Sequence, residues 1–455
     1  MALQSINPAT GERIGSFPGA TPVEVSRALA AASDAFGVWS RAPHDERARL
    51  MRRAARSLRE SKERWARLMA EEMGKPMTQG KAEAEKSAWA CEYFADNADR
   101  FLALLEIPTE ARKSYVTFQP LGVVLGIMPW NFPFWQVFRA AAPALMAGNT
   151  FVLKHASNVC GCSIAIAEIF HEAGFPPGVF TSLLLDSRRV GSLIADQRIR
   201  AVTLTGSTTA GRSVASAAGE NLKKVVLELG GSDPYLVLED ADLEAAARSC
   251  AEGKLINTGQ SCIAAKRMIV VRSVMRQFEE LLVREMGARE TADPRKDSTQ
   301  LGPLARADLR ETVASQVERS IQAGARCVMG GQVPEGPGFF YPPTVLTDVH
   351  PGMPAFDEEV FAPVAAVVAA DNEGDAIRLA NASSYGLGAV VYTRDLARGE
   401  RIAREELQAG SCFVNAYVRS DPRLPFGGIK ESGLGRELSA FGIREFVNVK
   451  TVWVQ

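Results

Sequence analysis

Histidine is nearly missing from this chain: His44, His155, His171 and His350 are the only four in 455 residues. Zinc centres and Cys–His hydrolases both draw on imidazole, so neither chemistry is well supplied and no metal is expected. Cysteine is sparse too. The seven (Cys91, Cys160, Cys162, Cys250, Cys262, Cys327 and Cys412) are odd in number and scattered, which suits reduced thiols in a cytoplasm better than a disulfide framework. Cys160-Gly161-Cys162 lacks the Cys-x-x-Cys spacing and has no second Cys or His pair nearby, so buried helical thiols are its simpler reading. Neither sign of charge dominates: 52 Lys and Arg face 53 Asp and Glu, so no electrostatic case exists for nucleic acid or an anionic membrane. No run approaches the roughly 18 apolar residues of a membrane span. The start, Met1-Ala2-Leu3-Gln4-Ser5-Ile6, has neither a charged nor an apolar leader region, which argues against secretion. Internal repeats and low-complexity linkers are absent as well.

What remains is an ordinary globular composition, 46% hydrophobic and 23% charged, on a chain too long for one simple core. Residues 21–110 read as helices. Thr21-Pro22-Val23-Glu24 supplies an N-cap, a proline at the first helical position and a capping-box acid, and Glu46 to Met73 is a charged amphipathic stretch. From about 114 the texture changes to short, nearly continuous apolar runs separated by helices of crossover length. Residues 123–128, 150–154, 180–185 and 201–205 form one set; 234–238, 267–271, 364–368 and 388–392 form a second. This is the mark of buried parallel sheet, and it predicts two α/β halves meeting near 228–262. Residues 447–454 are β-prone with no evident partner in the chain, so pairing with another subunit is expected there.

Two side chains stand out between the halves. Cys262 ends Asn257-Thr258-Gly259-Gln260-Ser261-Cys262, and Glu228 sits in Leu227-Glu228-Leu229-Gly230-Gly231. A thiol and a carboxylate in small-residue surroundings are the minimum parts of a nucleophile with a general base. Thr205-Gly206-Ser207-Thr208-Thr209-Ala210-Gly211 follows a strand and opens a helix, where free N–H groups and the helix dipole favour a phosphate; a plain Gly/Ser turn is the alternative. Lys154 ends another strand, with Ser157 three residues on. Arg139, among Phe138 and alanines, needs an anionic partner, either a structural acid or a substrate carboxylate.

Seven stretches in the same order resemble the aldehyde dehydrogenase family over nearly the whole chain. They are Met128-Pro129-Trp130-Asn131-Phe132-Pro133, Lys154-His155-Ala156-Ser157, Thr205-Gly206-Ser207, Leu227 to Gly231, Thr258 to Cys262, Glu358-Glu359-Val360-Phe361-Ala362-Pro363 and Pro425-Phe426-Gly427-Gly428. Within the family, Lys-His-Ala-Ser-Asn and Ser420-Asp421-Pro422-Arg423 are most similar to bacterial succinate-semialdehyde dehydrogenases. The resemblance implies an α/β fold of two Rossmann-like parallel-sheet domains with a small β oligomerisation arm. It divides the chain into a cofactor-binding domain (1–113 with 125–230), a catalytic domain (231–430) and a bridging arm (114–124 with 438–455), in a homodimer or homotetramer. It also implies a mechanism. Cys262 attacks an aldehyde, Asn131 and the Cys262 backbone N–H hold the oxyanion, hydride leaves to a nicotinamide, and Glu228 activates water to release the acid. Met128, Pro129, Trp130, Lys154, Ser157, Gly206, Ser207, Gly211, Leu229, Glu359 and Phe361 take cofactor positions, and Arg139, Ser261 and Ser420 take positions that grip a substrate carboxylate.

Two departures carry information. Many NAD-specific relatives have Glu where Ser157 stands. That carboxylate would repel a 2′-phosphate by about 4 kcal/mol at about 4 Å with an effective dielectric near 20. Ser157 removes the repulsion and Lys154 adds positive charge, so NADP is expected to be preferred, with NAD also accepted. Ala362 replaces a common Gly, a small change in loop geometry. The expected substrate is succinate semialdehyde or another short ω-carboxy aldehyde; glutarate semialdehyde and neutral alkyl or aryl aldehydes are the alternatives. An acylating enzyme that hands its thioester to coenzyme A is disfavoured by the presence of Glu228, and a non-catalytic relative by the presence of both Cys262 and Glu228.

Overall fold

The computed structural model describes residues 2–455. Four helices, Pro22–Trp39, His44–Glu60, Lys62–Met73 and Met77–Phe101, build the N-terminal layer. The first starts where its sequence requires: the Thr21 hydroxyl accepts the Glu24 N–H, and the Glu24 carboxylate accepts the Thr21 N–H. The charged stretch 46–73 is two helices rather than one, broken at Ser61.

The last three of the four helices pack on helices Trp135–Met146 and Cys160–Glu172. The first, Pro22–Trp39, packs on a six-stranded sheet ordered Gly433–Leu434, Lys224–Glu228, Ile199–Thr205, Val123–Met128, Thr150–His155, Phe180–Ser182. Its central strands are buried on both faces, which is why they read as apolar runs rather than alternations. All neighbours are parallel except Gly433–Leu434, which returns from late in the chain to pair antiparallel with Leu227 and Glu228. Gly433 is required there: its φ is +144°, and a Cβ would lie 2.0 Å from the Leu227 carbonyl oxygen. The strand expected at 180–185 stops at Ser182.

A second sheet has seven strands, ordered Arg326–Met329, Thr344–Thr347, Val364–Ala370, Ala265–Val271, Asp233–Val237, Gly388–Tyr392, Ser411–Val414. Only its edge strand Arg326–Met329 is antiparallel to its neighbour. The short strands 224–228, 344–347 and 411–414 escaped sequence reading.

The β-prone tail corrects one expectation. Val447–Val454 does have a partner in its own chain, pairing antiparallel with Lys113–Pro120 over eight residues. Together with Leu105–Glu106 these form a three-stranded sheet in which Val447–Val454 is an edge, its outer side unpaired within the chain. Val449, Trp453 and Val454 are exposed there. Among the described residues, no helix is long and apolar enough to cross a membrane.

Candidate active site

The strands ending at Met128, His155, Thr205 and Glu228 all finish on one edge of the six-stranded sheet, the carboxyl edge where ligands of open α/β sheets lie. Cys262 reaches that edge from the other sheet. Helix Leu243–Leu255 ends, and the chain passes through three left-handed residues, Asn257 (φ +52°), Thr258 (φ +55°) and Gly259 (φ +76°), before Cys262. A β-branched residue at positive φ is costly, so the turn persists only because its surroundings hold it. Gly259 admits no side chain, since a Cβ would sit 2.2 Å from the Ala362 carbonyl. Thr258 Oγ1 accepts the Gly302 N–H at 3.0 Å, and Gln260 Oε1 accepts the Ala305 N–H at 2.9 Å. Lys266 Nζ donates to the carbonyls of Ser261 (2.9 Å) and Cys262.

Asn131 precedes the helix that carries Trp135 and Arg139. The helix is Trp135–Met146, so Asn131 lies in the turn before it, and only Trp135 and Arg139 share that helix, one turn apart. Its amide is held in one orientation: Oδ1 accepts from Gln136 Nε2 at 3.1 Å, and Nδ2 donates one hydrogen to the Gln260 carbonyl at 3.0 Å. A second Nδ2 hydrogen remains. The Asn131 carbonyl accepts from Lys75 Nζ (2.9 Å) and Asn257 Nδ2 (2.7 Å), tying the Asn131 turn to the nucleophile turn. The Cys262 backbone N–H meets no acceptor among the described residues. Two donors are thus left beside the thiol, as oxyanion stabilisation requires.

Glu228 is the last residue of its strand and only 1% exposed. Neither carboxylate oxygen accepts a hydrogen bond among the described residues, and its nearest cation is Arg139, 3.7 Å away. Burial without hydrogen bonds pushes its pKa up to about 8, against the pull of Arg139 and helped by Glu437. Burial and the neighbouring Glu228 likewise push the Cys262 thiol up to about 12, with Lys266 and Arg139 opposing. A charge on Glu228 therefore disfavours the Cys262 thiolate.

Arg139, 2% exposed, pairs through Nε with the buried Glu437 and donates to Thr205 Oγ1 at 3.1 Å, its guanidinium over the Phe426 ring. The structural-acid alternative for this arginine thus has a definite partner.

Two cavities meet at Cys262. One, about 350 Å³, runs past Pro129, Trp130, Asn131, Gly206, Ser207, Leu229, Glu359 and Phe361. Trp130 and Phe361 stand edge to face, 5.9 Å between centroids, and the Glu359 carboxylate accepts the Gly231 N–H while pairing with Lys266 at 3.3 Å. Gly230 makes that approach possible: a Cβ there would meet Glu359 Oε2 at 2.5 Å. The helix Thr208–Glu220 opens onto this cavity with Ser207 as its N-cap. Met128, Lys154, Ser157 and Gly211 are not on its wall. Lys154 is buried with no ion pair or hydrogen bond among the described residues, and Ser157 is exposed. Gly211 is a packing glycine, its missing Cβ leaving room for Leu229. The other cavity, about 280 Å³, brings Arg139, Ser261 and Ser420 together with Cys262, and Lys86, Gln79, Glu83, Trp135 and Arg419 also line it. Sequence reading missed Lys75, Lys86, Lys266 and Glu437. Each is a lone charge in an ordinary helix, strand or loop context, and only the fold brings it beside the site.

A strand-end crevice, a thiol shared by two cavities, an unbonded buried carboxylate and free oxyanion donors together define an enzyme of thiol-mediated aldehyde oxidation. The aldehyde dehydrogenase family model matches residues 1–452, and the chain belongs to that family. It is 50% identical over the full length of both chains to a Synechocystis protein named probable succinate-semialdehyde dehydrogenase, NADP(+). It is 45% identical to the Escherichia coli succinate semialdehyde dehydrogenase, NAD(P)+, covering 99% of this chain and 97% of that one. Among solved structures it is similar to succinic semialdehyde dehydrogenase from Streptococcus pyogenes in complex with NADP+, with a TM-score of 0.97, 36% identity and full coverage of both chains.

Proposed function

We propose that this protein oxidises succinate semialdehyde to succinate with NADP as the preferred cofactor. The observation that carries this is Cys262 standing in the wall of both cavities, so that one sulfur faces aldehyde on one side and nicotinamide on the other. The named relatives above support the substrate, and so does the charge of the substrate-side wall. Beside Arg139 stand Lys86 and Arg419, and the one lining carboxylate, Glu83, is neutralised by Lys75.

In this reading Cys262 Sγ gives up its proton to solvent and bonds to the aldehyde carbon, and Glu228 acts only after the thioester has formed. The second Asn131 Nδ2 hydrogen and the Cys262 N–H receive the oxyanion; losing one such donor typically costs about 2.7–4 kcal/mol of barrier. A bound nicotinamide dinucleotide supplies the hydride acceptor. Pro129, Trp130, Gly206, Ser207, Leu229, Glu359 and Phe361 would line its cavity, while Lys154 and Ser157 would meet the adenosine ribose. The residual thioester on Cys262 is then cleaved by water whose proton Glu228 accepts. A base poised near 8 is well matched to that step. Ser261 and Ser420, with Arg139 behind them, are the proposed substrate-side contacts.

The open outer edge of Val447–Val454, with Val449, Trp453 and Val454 exposed, supports assembly into a homodimer or homotetramer. Seven unpaired thiols support action in the cytoplasm.

The test follows reduced-nicotinamide absorbance with succinate semialdehyde, glutarate semialdehyde and a neutral alkyl aldehyde, each with NADP and with NAD. The reading expects the highest kcat/KM for succinate semialdehyde with NADP. A preference for the neutral aldehyde overturns the substrate, and a strong preference for NAD overturns the cofactor.

A further inference from the structure

Three cations line the cavity that leads to Cys262, and they differ in what already neutralises them. Arg139 is the deepest, and its charge is shared: Nε pairs with Glu437, and Glu228 lies 3.7 Å from its terminal nitrogen. Two acids therefore already face this one guanidinium before any substrate arrives. Arg419 is solvent-exposed, where an ion pair is worth little. Lys86, on the helix Met77–Phe101, is partly buried, and its ammonium has no carboxylate within ion-pair distance among the described residues. It donates a hydrogen bond to Ser420 Oγ, at 2.8 Å, and it lies over the Trp135 ring, 4.5 Å from the centroid. Glu83, three residues earlier on the same helix, is taken by Lys75 and by the Phe134 and Trp135 N–H groups. Asp421, beyond Ser420, is taken by Arg423.

We propose that Lys86, steadied by Ser420 and Trp135, is a further specificity-determining cation that receives the far carboxylate of the substrate, in front of Arg139, whose charge is already shared with Glu228 and Glu437. This rests on the ω-carboxy aldehyde reading above and names the group that enforces it. Lys86 has two of its three ammonium hydrogens uncommitted, and Ser420 Oγ, which accepts the third, can donate its own hydrogen to the same carboxylate. The two residues thus form a single anion-binding unit. Burial, with Arg139 and Arg419 nearby, lowers the Lys86 pKa to about 8, against the pull of Asp421 and Glu83. The ammonium therefore remains mostly charged at neutral pH and is relieved by an incoming anion.

The experiment compares wild type, Lys86→Met and Lys86→Arg with saturating NADP, on succinate semialdehyde and on isocaproaldehyde, its neutral isostere. Met keeps the stem on Trp135 and removes only the charge. Lys86→Met is expected to raise KM for succinate semialdehyde by about 30-fold, the scale of a lost charge-assisted hydrogen bond. Its kcat should stay within about threefold, and isocaproaldehyde kinetics should be unchanged or improved. Lys86→Arg should recover most of the lost affinity. Equal losses on both aldehydes would make Lys86 merely structural and overturn the proposal, as would an unchanged succinate semialdehyde KM in a variant that still prefers that substrate. A wild-type enzyme with no preference between the two aldehydes would overturn the substrate reading and this inference together.

Discussion

Glu83 and Glu228 are both buried carboxylates within the same half of the molecule, and they are treated in opposite ways. Glu83 accepts two backbone N–H groups, from Phe134 (2.9 Å) and Trp135 (3.0 Å), and pairs with the fully buried Lys75. Glu228 accepts no hydrogen bond among the described residues and shares Arg139, at 3.7 Å, with Glu437. The first is spent on fixing the turn that carries Asn131. The second is held in reserve, its cost of burial unrelieved. A satisfied carboxylate builds the site, whereas an unsatisfied one is free to move a proton within it.

The sharpest test of that contrast is kinetic. Glu228→Gln should lower steady-state turnover about 1,000-fold, mid-range for loss of a general base. A burst of reduced cofactor stoichiometric with Cys262 should survive in rapid mixing, because acylation outlives deacylation. No burst would place Glu228 before the thioester rather than after it.

Stability should reverse the ranking. Glu83→Gln leaves the Lys75 ammonium buried without its partner and should cost about 3–5 kcal/mol in denaturant unfolding. Glu228→Gln replaces an unsatisfied buried carboxyl and should leave stability within about 1 kcal/mol or increase it. Similar destabilisation by both variants would erase the distinction.

The pH dependence of the same pair sharpens it further. Glu228 has its folded pKa raised from 4.5 to about 8, so between those values the folded protein holds a proton that the unfolded chain releases. The stability it contributes is complete below 4.5 and is lost as pH rises toward 8. Wild type should therefore lose ground to Glu228→Gln across that window, while the deacylation rate of wild type climbs through it as the base form appears. A parallel pair of stability profiles would contradict the raised value.

The smallest effect belongs to a carboxylate placed where water screens it. Ser157→Glu, at an exposed position near the buried Lys154, should lower kcat/KM for NADP about tenfold and leave NAD within about twofold, well short of the unscreened repulsion. Equal losses with both cofactors would place residue 157 away from the 2′-phosphate.

The two carboxylates also show what could be read from the chain alone. Glu228 was legible because small and apolar neighbours bracket it in Leu-Glu-Leu-Gly-Gly, and Cys262 and Asn131 were legible in the same local way. The parallel strands announced themselves as continuous apolar runs because both their faces are covered. Glu83, Lys75, Lys86 and Lys266 carry no local mark. Glu83 and Lys86 look like the solvated face of an amphipathic helix, and only the packing of Met77–Phe101 against Trp135–Met146 turns that face inward. Glu437 was hidden for another reason, since its partner Arg139 lies about three hundred positions earlier in the sequence. The tail was misjudged on the same ground: its partner strand Lys113–Pro120 is equally remote.

That remoteness has a consequence for the order in which the molecule can be made. Gly433–Leu434 closes the sheet beside Glu228, Ser432 accepts the Leu229 N–H at 2.9 Å, and Glu437 neutralises Arg139. All of these contacts come from residues roughly two hundred positions or more later than the groups they complete. A nascent chain can assemble most of its first sheet early, yet the strand bearing Glu228 stays uncapped until Gly433–Leu434 has been made. Glu228 therefore acquires its dry setting only after the segment that carries Cys262 has been synthesised.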